Sequence, residues 1–389
     1  MPFSLDPKAA FVSASIGVGC LTIWQLAKKD STLRRLLQRA FEGDANVWVE
    51  VGTVAELYLH PVKSCRAIAL EEAECAQMGL KFGDNMDRHF VLIDEGTGEM
   101  VTGRTRPRTV LVKPRVEKDA LYLESSREDE SGSFGKVEVE LESVRRAADY
   151  RTVTMWGGLK TEGLDCGDVV AEWLTKFLSK SVEISPEAYN EECCGNSFED
   201  AYENRKRIRL LYFVDGRDNE RRANGGAASK WNAINPEAKS RDDLVAYPDL
   251  APYMALTQGS LEDLNSRLKA ENQASMRQFR PNIVVATKDE KGFDEDNWQR
   301  VRIGNVAAFT AVKPCDRCLF TTVNTETAIP NGKMEPLATL RSYRLAAEKF
   351  RHVFQNSPIF GTNLVLDTPG SIRVGDIVFV QYRKGEFGD

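Results

Sequence analysis

Lys313-Pro314-Cys315-Asp316-Arg317-Cys318-Leu319-Phe320-Thr321-Thr322-Val323 sets two thiols and an arginine against a run rich in β-branched residues. A thiolate is the ligand that soft metals favour, and an adjacent guanidinium lowers a thiol's pKa while offering a fork of donors to an anion. By itself a C-x-x-C also fits half of a zinc site, a redox pair, or two thiols that only pack. Zinc lacks its remaining ligands, because a structural site takes four and His60, His89 and His352 have no metal-ligand spacing. Cys193 and Cys194 are adjacent and do not mirror the first pair. A thioredoxin-like pair belongs where a strand runs into a helix, whereas here the composition predicts that the cysteines lead straight into a strand over 319–323. A soft-metal site and a pair of packing thiols both remain open on the motif alone.

Around this motif the chain runs to 389 residues with 42% hydrophobic content, enough for two domains and a sizeable core. A net charge of −6 and a pI near 5.5 argue against a duplex nucleic-acid binder, which needs a broad basic face to displace counterions. Eight cysteines in no framework spacing read as free thiols in a reducing compartment. Short alternating runs at 47–51, 54–59, 90–94, 109–112, 121–123, 137–141 and 152–156 predict barrel-like β structure. Asp94-Glu95-Gly96-Thr97-Gly98 reads as a hairpin, and 124–135 as a charged, mobile loop. Val169, Val170, Trp173, Leu174, Phe177 and Leu178 recur at helical spacing behind Asp165 and predict a packing helix. The polar stretch 189–243 reads as a linker or lid insertion. Beyond it, Ser260-Leu261-Glu262-Asp263 predicts a capping box opening a helix to about Glu271, followed by a strand at 283–286 and a hairpin at 303–306. A second hairpin around 367–370 and a last strand at 377–382 close the chain.

Residues 9–27 carry no charge and as a helix would run roughly 28 Å, about one hydrocarbon thickness. Their apolar residues circle the helix, which favours a single anchor over a surface helix. Lys28, Lys29, Arg34, Arg35 and Arg39 follow the segment against Lys8 before it, so the positive-inside rule places the body of the protein on the cytosolic side. A cleaved signal peptide is disfavoured, because the basic flank follows the segment and no A-x-A site does.

Three separated motifs carry a family resemblance. Tyr58-Leu59-His60-Pro61-Val62-Lys63-Ser64-Cys65 is similar to a Y-P-V-K-S-C element with His60 in place of the tyrosine, Phe279-Arg280-Pro281-Asn282-Ile283-Val284 to F-R-P-N-I-V, and Cys315 to Val323 to a C-x-R-C segment. Over 51–380 the chain resembles the MOSC (molybdenum cofactor sulfurase C-terminal) proteins, specifically the mitochondrial amidoxime-reducing component family. That resemblance implies an α+β, β-rich fold: a MOSC N-terminal β-barrel domain at 46–188 and a MOSC β-barrel domain at 189–389 with flanking helices, preceded by the anchor and basic linker at 1–45. It also implies a Mo-molybdopterin cofactor, with Cys318 as metal ligand and catalytic residue and Cys315 in support. The cofactor-binding positions it implies are Lys63, Ser64, Arg88, Asp249, Leu250, Arg280, Asn282, Asp316, Arg317 and Asn363.

The residues themselves leave blander roles open. Lys63 reads equally as a surface lysine, Arg280 as the partner of a core carboxylate, and Arg88 as the partner of Asp87 or Asp84. Arg280 and Asn282, two apart at a strand start, are expected to share a face and reach one ligand. Asp249 and Leu250 stand where the family has serine and threonine, and the stretch 191–243 is longer than the family's, so substrate scope is expected to differ.

The activity implied is reduction of N-hydroxylated compounds, amidoximes and hydroxylamines, to amidines and amines, with electrons from cytochrome b5 and NADH-cytochrome b5 reductase. The location implied is the mitochondrial outer membrane, facing the cytosol. The sequence has no nucleotide-binding fingerprint outside Gly17-Val18-Gly19 in the anchor, no G-x-S-x-G elbow, no P-loop and no H-E-x-x-H, which fits a chain that needs an external electron donor and no nucleic acid. The alternatives are a cofactor carrier or sulfur-transfer MOSC module, which would carry a persulfide on Cys318, and a structural membrane-tethered β protein.

Overall fold

Seven strands close a barrel, and the long strand Val49–Leu59 makes the closure. It pairs antiparallel with Ile377–Tyr382 on one side and with Ile283–Thr287 on the other, and the ring continues through Tyr253–Thr257, Ile359–Thr368, Ala307–Asp316 and Trp298–Ile303. The computed structural model describes residues 47–180, 206–214, 221–223, 229–233, 235, 238 and 241–383. The anchor expected at 9–27, Cys20, and the adjacent Cys193 and Cys194 lie outside these residues. Among the described residues no helix is long and apolar enough to cross a membrane.

Alternation along the strands fills the barrel. Leu57, Leu59, Tyr253, Ala255, Ile283, Val285, Trp298, Phe309 and Leu364 form the interior cluster, while the intervening Tyr58, Met254, Leu256, Val284 and Phe360 pack outside it in a second cluster. The two runs expected at 47–51 and 54–59 are one strand, kept continuous by irregularities between Glu50 and Gly52 and between Val54 and Glu56. Tyr253–Thr257 and Ile283–Thr287 are parallel and therefore need a crossover, which the helix Gln258–Arg267 supplies. That helix starts earlier than the expected capping box at Ser260, because the Thr257 side chain accepts the Ser260 N–H and takes the cap.

One row of backbone pairings crosses the barrel wall and aligns the motifs. Tyr58 N donates to Asn282 O at 2.9 Å, and Asn282 N donates to Met254 O at 2.8 Å. Met254 then faces Asn363, which faces Lys313. Segments more than two hundred residues apart thus meet in a single register.

A five-stranded sheet, in the order Tyr150–Thr154, Lys160–Asp165, Ile208–Tyr212, Phe90–Asp94 and Met100–Val101, holds a second core. The helix Asp168–Leu178 lays Val170, Leu174, Phe177 and Leu178 on that core, as its spacing predicts. Ile208–Tyr212 is a buried central strand within the stretch whose polar composition reads as a linker. The expected strand at 109–112 is instead a 3-10 turn, Pro107–Leu111, followed by the strand Val112–Glu117, since Pro107 has no N–H to give a ladder. The charged loop expected at 124–135 contains the helix Glu128–Phe134, held by buried Glu130 accepting from Arg108 at 2.7 Å and Lys180 at 2.9 Å. The turn at 367–370 changes sheets: Gly370–Arg373 pairs with Glu72–Ala76 and not with Ile359–Thr368. Finally, the strand near the thiols is Ala307–Asp316, which takes in Cys315 and ends before Cys318, and Leu319–Thr322 is a 3-10 turn in which the Thr321 and Thr322 hydroxyls donate back to the Cys318 and Leu319 carbonyls.

Closure leaves no space at Gly52, where an added Cβ would stand 1.8 Å from Ala286 O. Gly52→Ala is expected to cost about 1–3 kcal/mol by overpacking, read as a lowered urea midpoint. Gly132→Ala, in the helix Glu128–Phe134 with nothing within 4 Å of an added Cβ, is expected to be neutral or to gain about 0.5–1 kcal/mol.

Candidate functional site

Where Ala307–Asp316 ends, the next side chain turns inward. Arg317 donates Nε to Phe360 O at 2.7 Å and Nη1 to Phe279 O at 2.8 Å, places Nη2 3.4 Å from Met254 Sδ, and lies over the Phe279 ring. Its guanidinium is consumed in pinning three segments together, and the following residue, Cys318, is left exposed. Crowding by the surrounding chain pushes the Cys318 thiol up, opposed first by Arg104, then by the Phe320 backbone N–H, and only weakly by Arg317. The sulfur is open to solvent on one side yet loses hydration on the others. Burial likewise pushes the Cys315 thiol up. The lowering expected of the adjacent Arg317 is outweighed by burial, and the largest opposing charge comes from Arg104, in a loop that the motif does not include.

The second group of residues hangs on one carboxylate. Asp87 is completely buried, and its Oδ1 accepts His60 N at 2.8 Å and Asn282 Nδ2 at 3.0 Å while Oδ2 pairs with Arg88. Burial alone would raise this carboxyl, but the Arg88 charge and the His60 hydrogen bonds more than offset it and hold it at about 2. His60, buried beside Arg280 and Arg88, is pushed down to about 3 and stays neutral. Asn282 spends its remaining capacity on Tyr58 O at 3.2 Å and on the Met254 N–H at 3.2 Å. Arg88 reaches Asn282 Oδ1 and the Arg280 carbonyl, each at 3.3 Å, so of the two expected carboxylate partners it takes Asp87.

That hub fixes unusual backbone. Ser64 (φ 68°), Arg88 (φ 51°) and Arg280 (φ 55°) are all left-handed without being glycine. Arg280 sits at the left-handed C-cap of the helix Met276–Phe279, three residues before the strand Ile283–Thr287 begins, so it and Asn282 do not share a strand face. Its Nη1 donates to Cys65 O at 2.7 Å, and its Nη2 is buried with no acceptor among the described residues. Burial, and Arg88 next to it, hold this guanidinium down at about 9.

Lys63 is buried, with Nζ donating to Tyr247 O at 2.8 Å and to Asp249 Oδ1 at 2.5 Å. Burial lowers it to about 8 in spite of that carboxylate. The same Asp249 oxygen accepts Trp156 Nε1 at 2.8 Å, and the Asp249 charge is felt at both Cys318 and Arg280. Asp249 is crowded on one side yet exposed on the other, and Lys63 and Trp156 keep its carboxyl below the usual range. Arg221 donates to Ala246 O at 3.0 Å and Pro248 O at 2.8 Å, holding the backbone that delivers Asp249 and half-buried Leu250. Asp316 pairs with buried Lys313, and Asn363 donates to Pro314 O at 3.4 Å.

The structure thus brings Lys63, Ser64, Asp249, Arg280, Asp316 and Cys318 onto neighbouring segments and turns Arg88, Asn282 and Arg317 toward the protein. Sequence reasoning missed Asp87 as the hub, along with Arg104, Trp156, Tyr247 and Arg221. Only the adjacent glycines at 157 and 158, which permit positive φ, mark the Trp156 turn in the sequence.

Family models agree with this architecture: the MOSC N-terminal beta barrel domain matches residues 51–181 and the MOSC domain matches residues 242–379. The class is that of MOSC-domain proteins. The chain is 35% identical to mitochondrial amidoxime reducing component 2 of Bos taurus over 88% of its own length and 87% of that protein. It is 36% identical to mitochondrial amidoxime-reducing component 1 of Mus musculus, over 85% and 83% of the two chains, and 37% identical to the Danio rerio protein of that name, over 85% of each. The chain belongs to the mitochondrial amidoxime-reducing component family.

Removing the hub carboxylate strands the His60 N–H, the Asn282 amide and the Arg88 charge. Asp87→Ala is expected to cost about 3–5 kcal/mol at pH 7, measured by urea unfolding. Because the folded pKa lies below its ordinary 3.8, the ionised Asp87 stabilises the fold above that value, and this contribution is lost as pH falls from 3.8 toward about 2. The gap between wild type and variant should therefore narrow over that interval.

Proposed function

We propose that this protein is a molybdenum-dependent reductase of N-hydroxylated compounds, and the observation that carries the reading is a surplus of buried cations around an open thiol. Lys63, Arg88 and Arg280 are buried or nearly so, and among the described residues Asp87 and Asp249 are their carboxylate partners and one Arg280 N–H group meets no acceptor. Burial, with neighbouring arginines, lowers Lys63 and Arg280, a cost that an arriving anion would relieve, which fits a phosphate-bearing cofactor. Among the described residues no three His, Cys, Asp or Glu side chains are grouped to hold a metal, so a metal bonded to Cys318 would take its other donors from the cofactor.

In this reading Cys318 ligates molybdenum, and Lys63, Ser64 and Arg280 hold the pterin phosphate. Asp249, Leu250, Asp316 and Asn363 border the cofactor. Arg88, Asn282 and Arg317 hold the backbone that presents these groups. When bound, Mo-molybdopterin supplies two-electron redox chemistry to the site. The balanced reaction takes an amidoxime, RC(NH2)=NOH, with two electrons and two protons, to an amidine, RC(NH2)=NH, and water; a hydroxylamine gives an amine in the same way. The electrons come from cytochrome b5, itself reduced by NADH-cytochrome b5 reductase. Asp249, anchored by Lys63 and Trp156, keeps its charge on the polar side of the site, and the thiol of Cys318 stays accessible from the other. The place of action is the outer mitochondrial membrane, with the body of the chain facing the cytosol behind the 9–27 anchor; the relatives' names carry the word mitochondrial.

Elemental and pterin analysis of the full-length protein, together with benzamidoxime turnover in the presence of cytochrome b5 and its reductase, tests this reading. Near-stoichiometric molybdenum and amidine formation are expected, and Cys318→Ala should abolish both metal retention and turnover. Lys63→Ala and Arg280→Met should each weaken cofactor retention tenfold or more, the loss of a charge-assisted hydrogen bond of about 1.5–3 kcal/mol. Substoichiometric metal with sulfane sulfur on Cys318 would point to a sulfur carrier, and protein with neither metal nor turnover would refute the proposal.

A further inference from the structure

The loop between Val101 and Pro107 carries a cation that the fold does not use. Arg104 is half-buried, its guanidinium carbon lies 3.8 Å from the centre of the Trp156 ring, and among the described residues its N–H groups meet no acceptor. The other arginines nearby, Arg88, Arg221 and Arg317, all donate to protein oxygens.

Both members of this stacked pair are held in place. Thr105 N and Arg106 N donate to Thr102 O at 3.0 and 2.8 Å, and Thr105 Oγ1 donates to the same carbonyl at 3.1 Å. Gly103 presses on Phe320, so closely that an added Cβ would stand 1.9 Å from its ring, and Phe320 lies two residues beyond Cys318. The Phe320 ring also carries the Arg280 guanidinium at 5.5 Å. On the other side, Trp156 is tied through Nε1 to Asp249 Oδ1 at 2.8 Å, the oxygen that also accepts Lys63 Nζ. Arg104 is therefore fixed to the thiol segment through Gly103 and to the cation cluster through Trp156.

A guanidinium held over an indole ring, here 3.8 Å from its centre, is attracted to the ring face and keeps its N–H donors available to a ligand. A preorganised fork of that kind, beside a reacting centre and with no partner of its own, is suited to a planar group bearing an oxygen acceptor. We infer that Arg104, stacked on Trp156, is the group that takes the oxygen of the N–O substrate and orients that bond toward Cys318, with Trp156 as its positioning residue. This assignment rests on the reductase reading of the same site. The oxygen-bearing, planar amidoxime is the substrate chemistry it favours.

The test uses cofactor-loaded wild type, Arg104→Ala, Arg104→Lys and Trp156→Ala, each assayed for molybdenum and pterin content, for benzamidoxime binding by calorimetry, and for kcat and KM with the electron-transfer proteins supplied. Expected are unchanged metal and pterin in all four proteins, and Kd and KM raised tenfold or more in Arg104→Ala. Arg104→Lys, which keeps the charge and loses the fork, should lie between wild type and alanine, and Trp156→Ala should reproduce part of the KM rise. Unchanged Kd and KM in Arg104→Ala would overturn the assignment, as would lost pterin, which would show that Arg104 grips the cofactor instead. Wild type that binds benzamidoxime through Arg104 without reducing it would uphold the oxygen site and refute the reductase reading.

Discussion

The buried carboxylate of Asp87 is the constraint on which the site depends. It is the one acceptor shared by the His60 backbone, the Asn282 amide and the Arg88 guanidinium, groups drawn from three separate segments of the chain. A charge removed from water is tolerated only when its partners are close and well aimed. Here the partners are also the residues that carry the neighbouring functional groups: His60 leads into Lys63 and Ser64, and Asn282 follows Arg280. Fixing one carboxylate therefore fixes the spacing of the cations.

The barrel supplies the geometry that this hub locks. The row of pairings from Tyr58 through Asn282, Met254 and Asn363 to Lys313 is a matter of backbone register, and a slip by one residue would turn each side chain to the opposite face. Left-handed backbone at Ser64, Arg88 and Arg280 costs conformational energy, which strand pairing and the Asp87 hub offset. Those three positions lie at the cation cluster, where an Arg280 N–H without an acceptor among the described residues is a further cost. Strain and unpaired charge thus gather where an anion is proposed to bind, and the barrel interior is apolar and well packed.

Two arginines in neighbouring motifs show how far residue type alone can be read. Arg280 and Arg317 both follow a hydrophobic or thiol-bearing run and both look like ligands for an anion. Arg317 has all three donor nitrogens engaged by Phe360, Phe279 and Met254, and Arg280 keeps one free. The difference lies in where the chain turns: Arg317 follows a strand whose pleat sends it into the protein, and Arg280 sits in a helix cap that swings it back toward Cys65. Removing Arg317 would loosen the thiol segment, and removing Arg280 would chiefly change what binds there.

Much of this molecule was legible in its amino acids. Alternation marked the strands at 90–94, 283–286 and 377–382, helical spacing marked Asp168–Leu178, and three short motifs carried the family and most of the candidate ligands. Those features are local, set by periodicity over a few residues or by residue types in fixed order. What the sequence left open were matters of long-range register and of competition for hydrogen bonds: that the strand ends between the two thiols, that 208–212 is a core strand, that Asn282 and Arg317 face inward, and that Arg104 and Trp156 meet. Tertiary structure decided these because a donor's partner is whichever acceptor folding places within about 3 Å of it, and acceptors here come from segments more than two hundred residues away.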